Sequence, residues 1–411
     1  GPLETGAGGP EPRLWQAQRR YATAAGELGF RTVWQAAASR SAALRDDVPL
    51  AVRRAVAEVP GFLQSQPSLV LRLGPELPRE RTIMFNVHLD TVAGMEPVGI
   101  DGTRITGRGA IDAKGPAVAL LAGLRAALAT EPALGSEVGV LVQAVAGEEG
   151  GAMGTIGTRP LVEHGFVGRL NVFCEPTDLH YLPRATAAMT ACVRVSGRDA
   201  IDDQPEVGHN ATVLLGFLAQ HLGAVLVPLV PDGRVCVAGL HTGRLHNRVY
   251  GSGELLINLS YSSAAAAAAL ETAVAQALRD GIIDFTARFA ALREFARTAT
   301  DAAKVTRLEW HKRGLPTLSG ADAWAEALLR DGAGLARWPD AELAFTCDAI
   351  WMSGVPGAFT VVLGPGVLGT NNAHAQGEYA ELGELDAFAA AVARIVVSFA
   401  QRTRSGGDGA P

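Results

Sequence analysis

Apolar positions in this chain fall into two alternating textures. Largely apolar runs of strand length occur at 68–73, 82–88, 138–145 and 170–174. Runs of this kind, bounded by turn residues, read as strands buried on both faces. Between the second and third lies a helical pattern over 116–128, with Gly115-Pro116 at its start. Strand–helix alternation predicts an α/β sheet with parallel pairs. Ahead of it, 14–59 is Ala-rich and helical in pattern, and 1–12 reads as a loose tail. Around Ala187 the texture changes. Stretches 187–196, 234–240 and 255–261 read as strands, and 210–222 and 264–278 as helices, the latter opening on a run of alanines. A further helical stretch, 280–304, has no assigned place. The β-α-β-β-α order predicts a smaller α+β domain inserted into the larger one. The first texture resumes with a helix at 321–329, a strand at 358–363 and a closing helix at 385–400, before a Gly-rich polar tail at 402–411. The expected division is 13–186 with 314–401 as one discontinuous domain, and 187–313 as the insert.

Bulk properties narrow the function. The chain has 411 residues, too many for one ordinary core. With 48% apolar and 19% charged residues it is globular rather than disordered. A net charge of −6 argues against a nucleic-acid or anionic-membrane surface, which needs clustered Lys and Arg. It leaves divalent cations open, because these need only local carboxylates. Cys174, Cys192, Cys236 and Cys347 form no C-x-x-C pair and suit a reducing compartment. No signal-peptide pattern opens the chain, and the longest apolar runs are strand-length or interrupted by Gly. A cytoplasmic protein without a transmembrane helix is expected.

Candidate chemistry gathers at the ends of the apolar runs. His88 and Asp90 close the second run in Asn86-Val-His-Leu-Asp-Thr-Val92. Residues i and i+2 of a strand share a face, and open α/β sheets bind ligands at the carboxyl ends of their strands. Asp112 follows in the Gly-rich loop Gly107-Arg-Gly-Ala-Ile-Asp-Ala-Lys-Gly-Pro116. Glu148 and Glu149 are adjacent carboxylates between glycines after the third run. Like charges this close repel, and a divalent cation is the usual remedy. Glu175 ends the fourth run, and His374 lies in a loop after the last strand. Two imidazoles and three carboxylates, from His88, Asp112, Glu149, Glu175 and His374, suit zinc or a similar metal. A shared Asp can hold two such ions roughly 3.5–4 Å apart and let them activate a water. Gly364-Pro-Gly-Val-Leu-Gly369 formally matches a dinucleotide loop but opens no helix, so that reading fails.

With these motifs, over about residues 70 to 390, the chain resembles the M20 family of metallopeptidases and deacylases: acetylornithine deacetylase, succinyl-diaminopimelate desuccinylase and carboxypeptidase G. The wording of 107–116 also resembles the branch that releases lysine or ornithine from an amino-group carrier protein. The resemblance implies a zinc-exopeptidase-like α/β catalytic domain with an inserted lid of the dimerisation type. It implies two Zn2+, with Co2+ or Mn2+ as alternatives. His88 and Glu175 would hold one metal, Glu149 and His374 the other, and Asp112 would bridge them. Asp90 would orient His88, and Glu148 would be the general base. The implied substrate is a small amide of an amino acid or peptide, and a homodimer through the lid is implied as well.

Two departures from the family pattern fall in the insert. Where the family reads Gly-x-x-Ala-His, this chain has Gly197-Arg-Asp-Ala-Ile201, and Ile201 donates no hydrogen bond. A lost oxyanion donor typically costs ~10²–10³ in rate. Where the family has Asp-x-Arg, this chain has Asn258-Leu-Ser260. Asn247 does match, and the neighbouring Arg248 is a cation that can substitute for the missing arginine in substrate binding. An intact metal set with an altered lid leaves two alternatives to amide hydrolysis: condensation or cyclisation at the same site, and a non-catalytic metal-binding protein.

Overall fold

The structure, a computed structural model, describes residues 13–405. The tail expected at 1–12 and the last six residues lie outside the described range. The chain divides into two compact units, one being Thr186–Thr317 and the other the segments on either side of it.

The flanking unit begins with helix α1 (Leu14–Gly26), strand β1 (Arg31–Ala37) and helix α2 (Leu50–Glu58). The strand corrects the all-helical expectation for 14–59. Its Gln and Ala residues favour helix locally, but it pairs antiparallel with β2 (Pro67–Leu73), Gln35 opposite Leu69. Sheet pairing overrides a weak local preference. Then come β3 (Thr82–His88), the short pair β4 (Gly99–Asp101) and β5 (Arg104–Thr106), α3 (Gly115–Leu128), β6 (Gly139–Val145), α4 (Thr158–Glu163), β7 (Leu170–Phe173) and β8 (Arg184–Ala185).

The Thr186–Thr317 unit contains β9 (Ala187–Ser196), β10 (Ala200–Ile201), α5 (Ala211–Leu226), β11 (Val235–His241), β12 (Arg248–Val249), β13 (Ser252–Tyr261), α6 (Ala264–Phe289), α7 (Ala296–Val305) and β14 (Thr306–Lys312). Its antiparallel sheet runs β11-β13-β9-β14. The last strand had no counterpart in the sequence pattern, because its alternating charges and aromatics leave it half-buried throughout. Asn210 and Ser263 cap α5 and α6 by accepting the Val213 and Ala266 amides. The alanine helix runs eleven residues beyond the expected 278, because Phe285 and Phe289 stack at 4.4 Å and meet Phe217. The stretch 211–229 is apolar and long enough to cross a membrane by composition alone, contrary to the expected lack of such a segment. Its Leu214, Leu215, Leu218, Leu222 and Leu226 are nevertheless buried within the unit.

The chain then returns to the first unit with β15 (Leu318–Ser319), α8 (Ala323–Ala327), β16 (Phe359–Val362), β17 (Tyr379–Glu381) and α9 (Leu382–Ser405). The main sheet is ordered β1-β2-β6-β3-β7-β16. Its last four strands are parallel, which gives the unit its α/β class. Strands β6, β3 and β7 are buried along their whole length, as the largely apolar runs required. Helix α9 starts and ends beyond the expected 385–400, taking in 402–405 of the presumed tail. It lies tight on α3 at Gly123, where an added Cβ would run into the Ala389 carbonyl and Val392.

Candidate metal centre

Register decides which residues meet. His88, the last residue of β3, is level with Val145 at the end of β6, and Asn86 is level with Phe173 at the end of β7. The chain segments leaving β3, β6 and β7 therefore emerge at one sheet edge, carrying His88, Glu148–Glu149 and Glu175. Two left-handed glycines make the approaches feasible. Gly147 (φ 70°) turns the chain where a Cβ would strike Ile156, and Gly109 (φ 84°) leaves room for Lys114. The Asp112–Ala113 peptide is cis.

Asp112 lies between the two imidazoles. Its Oδ1 is 2.7 Å from Nε2 of His88, and its Oδ2 is 2.9 Å from Nε2 of His374. His88 Nε2 is also 3.7 Å from Glu175, and His374 Nε2 is 3.1 Å from Glu149. Two donor groups result, His88–Asp112–Glu175 and Asp112–Glu149–His374, each with its ligand atoms within 4.8 Å of one another and with Asp112 common to both. All the sequence-predicted ligands in this unit thus come together. His88, Asp112, Glu149 and Glu175 are buried, whereas the His374 side chain is half-exposed.

The electrostatics are those of a cluster short of positive charge. Burial, then the neighbouring Glu175, pushes the Glu148 carboxyl well above the usual carboxylate range. Burial does the same to Glu175, against the pull of His88. Burial disfavours ionised Asp112, but hydrogen bonds with His374 and His88 hold its pKa below the ordinary value. Those with Asp112 and Glu149 push His374 up to about 10. Imidazole nitrogens of His88 and His374 lie within hydrogen-bonding distance of the Asp112 and Glu149 carboxylates. Divalent cations would serve the same donor set better, and oxygen and nitrogen ligands of this kind fit zinc, cobalt or manganese.

Asp90 is close by, but its contact with His88 is not the one expected. His88 Nδ1 faces the backbone carbonyl of Asp90 at 3.1 Å, while its carboxylate is 3.8 Å away. That carboxylate instead accepts the Glu149 amide through Oδ2, and Oδ1 has no hydrogen-bond partner among the described residues. The arrangement ties the β3 end to the β6 loop. Glu148 lies within reach of both His88 and Glu175.

Sequence reading missed Asp348. It is fully buried, groups with Glu148 and Glu175, and accepts the Thr158 hydroxyl. Burial pushes its carboxyl up to about 6. Asn86 donates to both Thr158 and Gln143, so a buried polar chain runs from β6 across β3 to the carboxylates. Asp348 follows no apolar run, and its surroundings come from segments hundreds of residues apart, so one sequence carried no signal for it. A largely apolar cavity of about 390 Å³ adjoins the Asp112 loop and is lined by Val98, Ile105, Lys114, Val118, Leu382 and Leu385. None of the clustered ligands lines it.

Asn247 and Arg248 belong to the Thr186–Thr317 unit, where both are exposed. Arg248 pairs with Asp199 and lies over the Tyr250 ring at 5.6 Å. It is the cross-strand neighbour of Ile201 on the β10–β12 ribbon. The Ser260 hydroxyl accepts the Arg234 amide.

A family model for Peptidase family M20/M25/M40 matches residues 84–398. The chain is 31% identical over 205 residues to a putative [LysW]-lysine/[LysW]-ornithine hydrolase of Aeropyrum pernix, covering 49% of this chain and 53% of the relative. It is 38% identical over 144 residues to a like-named protein of Pyrobaculum aerophilum, covering 35% and 37%. The chain thus matches about half or less of the length of these curated relatives. Among solved structures, human carnosine dipeptidase 1 superposes with a TM-score of 0.67 at 15% identity, covering 97% of this chain and 94% of that one. Aminopeptidase PepT of Bacillus cereus gives 0.64 at 17%, covering 97% and 96%. A dinuclear metal-binding M20 peptidase of Bacillus subtilis gives 0.54 at 12%, covering 96% of each chain. The family match over residues 84–398 makes this chain a member of the M20/M25/M40 peptidase family.

Proposed function

We propose that the chain hydrolyses an amide bond in an N-acyl amino acid or peptide-like substrate with the help of two zinc ions. The observation that carries this reading is Asp112, with one carboxylate oxygen toward His88 and the other toward His374. His88 and Glu175 would hold one ion, Glu149 and His374 the other, and Asp112 both. When bound, the metals polarise the amide carbonyl and lower the pKa of a water. Glu148 accepts the proton of the attacking water and returns it to the leaving nitrogen. Asp90 keeps the β3 end and the Glu149 amide in register. Asn247 and Arg248 grip a carboxylate of the substrate.

The substrate side differs from the usual pattern, and this favours a specialised amide. Ile201 is 57% exposed without a polar group to offer, and the Ser260 hydroxyl is engaged with the Arg234 amide. The names of the curated relatives suggest one class to test, an aminoacyl amide borne on a carrier protein. A homodimer through the Thr186–Thr317 unit and a reducing cytoplasmic location belong to the same proposal. Light scattering that finds monomer alone removes the dimer.

The test is a mass-spectrometric screen. Zinc-loaded protein and its Glu148→Gln variant meet a mixed library of N-acyl amino acids, short peptides and carrier-linked lysine. Loss of defined amides with the intact protein alone supports the hydrolase. Full metal uptake with no cleavage sinks it and favours condensation or cyclisation at the same cluster.

A further inference from the structure

One half of the cluster relies on two loops that belong to no common strand. Asp112 lies in 107–114 between β5 and α3, and His374 in the loop between β16 and β17. Packing does not hold His374, whose side chain is 52% exposed and whose backbone is left-handed at φ 64°. A set of charged hydrogen bonds centred on a buried carboxylate joins the loops instead. Glu378 is 1% exposed. Its Oε1 accepts the amides of both Ile111 and Asp112 at 3.2 Å, and its Oε2 accepts Arg108 Nη1 at 2.8 Å. The Gly107 amide donates to the Glu378 carbonyl at 3.0 Å. Arg108 Nη2 donates to the carbonyl of Ala375, next to His374, at 3.0 Å and to Glu96 at 3.3 Å. Glu96 in turn accepts the Gly377 amide at 2.9 Å.

We propose that Glu378, through the Ile111 and Asp112 peptides and through Arg108, is the positioning residue of the Asp112–His374 half of the centre. The inference rests on the two-metal reading above. One carboxylate oxygen that takes two successive amides fixes the tilt of the Asp112 peptide, and with it the direction of the Asp112 side chain. The other oxygen anchors a guanidinium whose free arm holds the backbone beside His374. Charge-assisted bonds of this kind are short, directional and strong when buried. The Glu378 carboxylate meets the cluster at the Asp112 backbone amide, so it acts on the ligand side chains only through other groups. His88 and Glu175 hang on the ends of β3 and β7 and meet the clamp through Asp112. The second cation would draw Asp112 and His374 from clamped loops, and the first only Asp112.

Metal titration of the whole metal-free chain tests this. Zn2+ is titrated against a competing chelator for the native protein, Glu378→Gln and Arg108→Lys, with Co2+ absorption spectra at one and two equivalents. The native chain is expected to bind two ions. Each variant should keep the first with little change and bind the second about 10–100-fold more weakly, the usual cost of losing a supporting hydrogen bond. The two-equivalent cobalt spectrum should change and the one-equivalent spectrum should not. The double variant should be no worse than either single one, as one network requires. If the native chain takes up two ions and the variants do too, with unchanged affinity, the clamp has no positioning role. Equal loss of both ions, or failure of both variants to fold, shows a general structural ion pair and overturns the inference. Failure of the native chain to bind two ions overturns the two-metal reading itself, and the inference with it.

Discussion

Polar side chains live under opposite conditions in the two units. In the α/β unit His88, Asp112, Glu149 and Glu175 are buried; His88 bonds Asp112, Glu149 bonds His374, and Glu175 lies 3.7 Å from His88. On the β10–β12 ribbon of the Thr186–Thr317 unit, Ile201, Asn247 and Arg248 stand in solvent. Buried ionisable groups are costly unless each meets a partner, so any change to one disturbs the rest. Exposed groups carry no such obligation. The residues proposed as metal ligands thus lie where substitution is costly, and those proposed for substrate binding where it is cheap.

Four measurements sharpen or break that contrast. The largest effect is expected for Glu148→Gln, which should lower turnover of a substrate found in the screen by ~10²–10⁴-fold. Its metal content should stay that of the native chain; a variant as active as the native protein ends the general-base assignment. Asp90→Ala should follow, because it frees the Glu149 amide that Asp90 now accepts. A loss of about 10–100-fold in metal affinity or rate is expected, read by chelator competition. Arg248→Ala should raise KM about tenfold for a substrate bearing a carboxylate, the lower end for a charged hydrogen bond, with kcat little changed. A drop in kcat instead would tie the ribbon to the chemical step. The smallest effect is expected for Ile201→Ser. At 57% exposure, it should alter stability by no more than ~0.5 kcal/mol, measured by thermal unfolding. A large loss would mean that Ile201 is covered in solution, as a dimer interface would require.

Legibility along the chain followed local periodicity. Strands β3, β6 and β7 carry largely apolar runs, and those runs end at His88, just ahead of Glu148–Glu149, and beside Glu175. Strands β1 and β14 are half-buried edges of mixed composition, so neither the two-residue nor the 3.6-residue period stands out, and both were missed. The short β4, β5 and β17 pieces are three residues each, too brief for any pattern, yet they carry the loops that Glu378 joins.

By itself the sequence determined the residue types of the proposed metal set, the place of His88, Glu149 and Glu175 at or just after strand ends, and the α/β class with its α+β insert, because burial and alternation write themselves into consecutive residues. Tertiary structure alone decided that Asp112 stands between His88 and His374, that Asp348 joins Glu148 and Glu175, and that Glu378 spans two loops. Those contacts join residues up to 270 positions apart. Only sheet register and loop closure, which no local window contains, bring them within a hydrogen bond of each other.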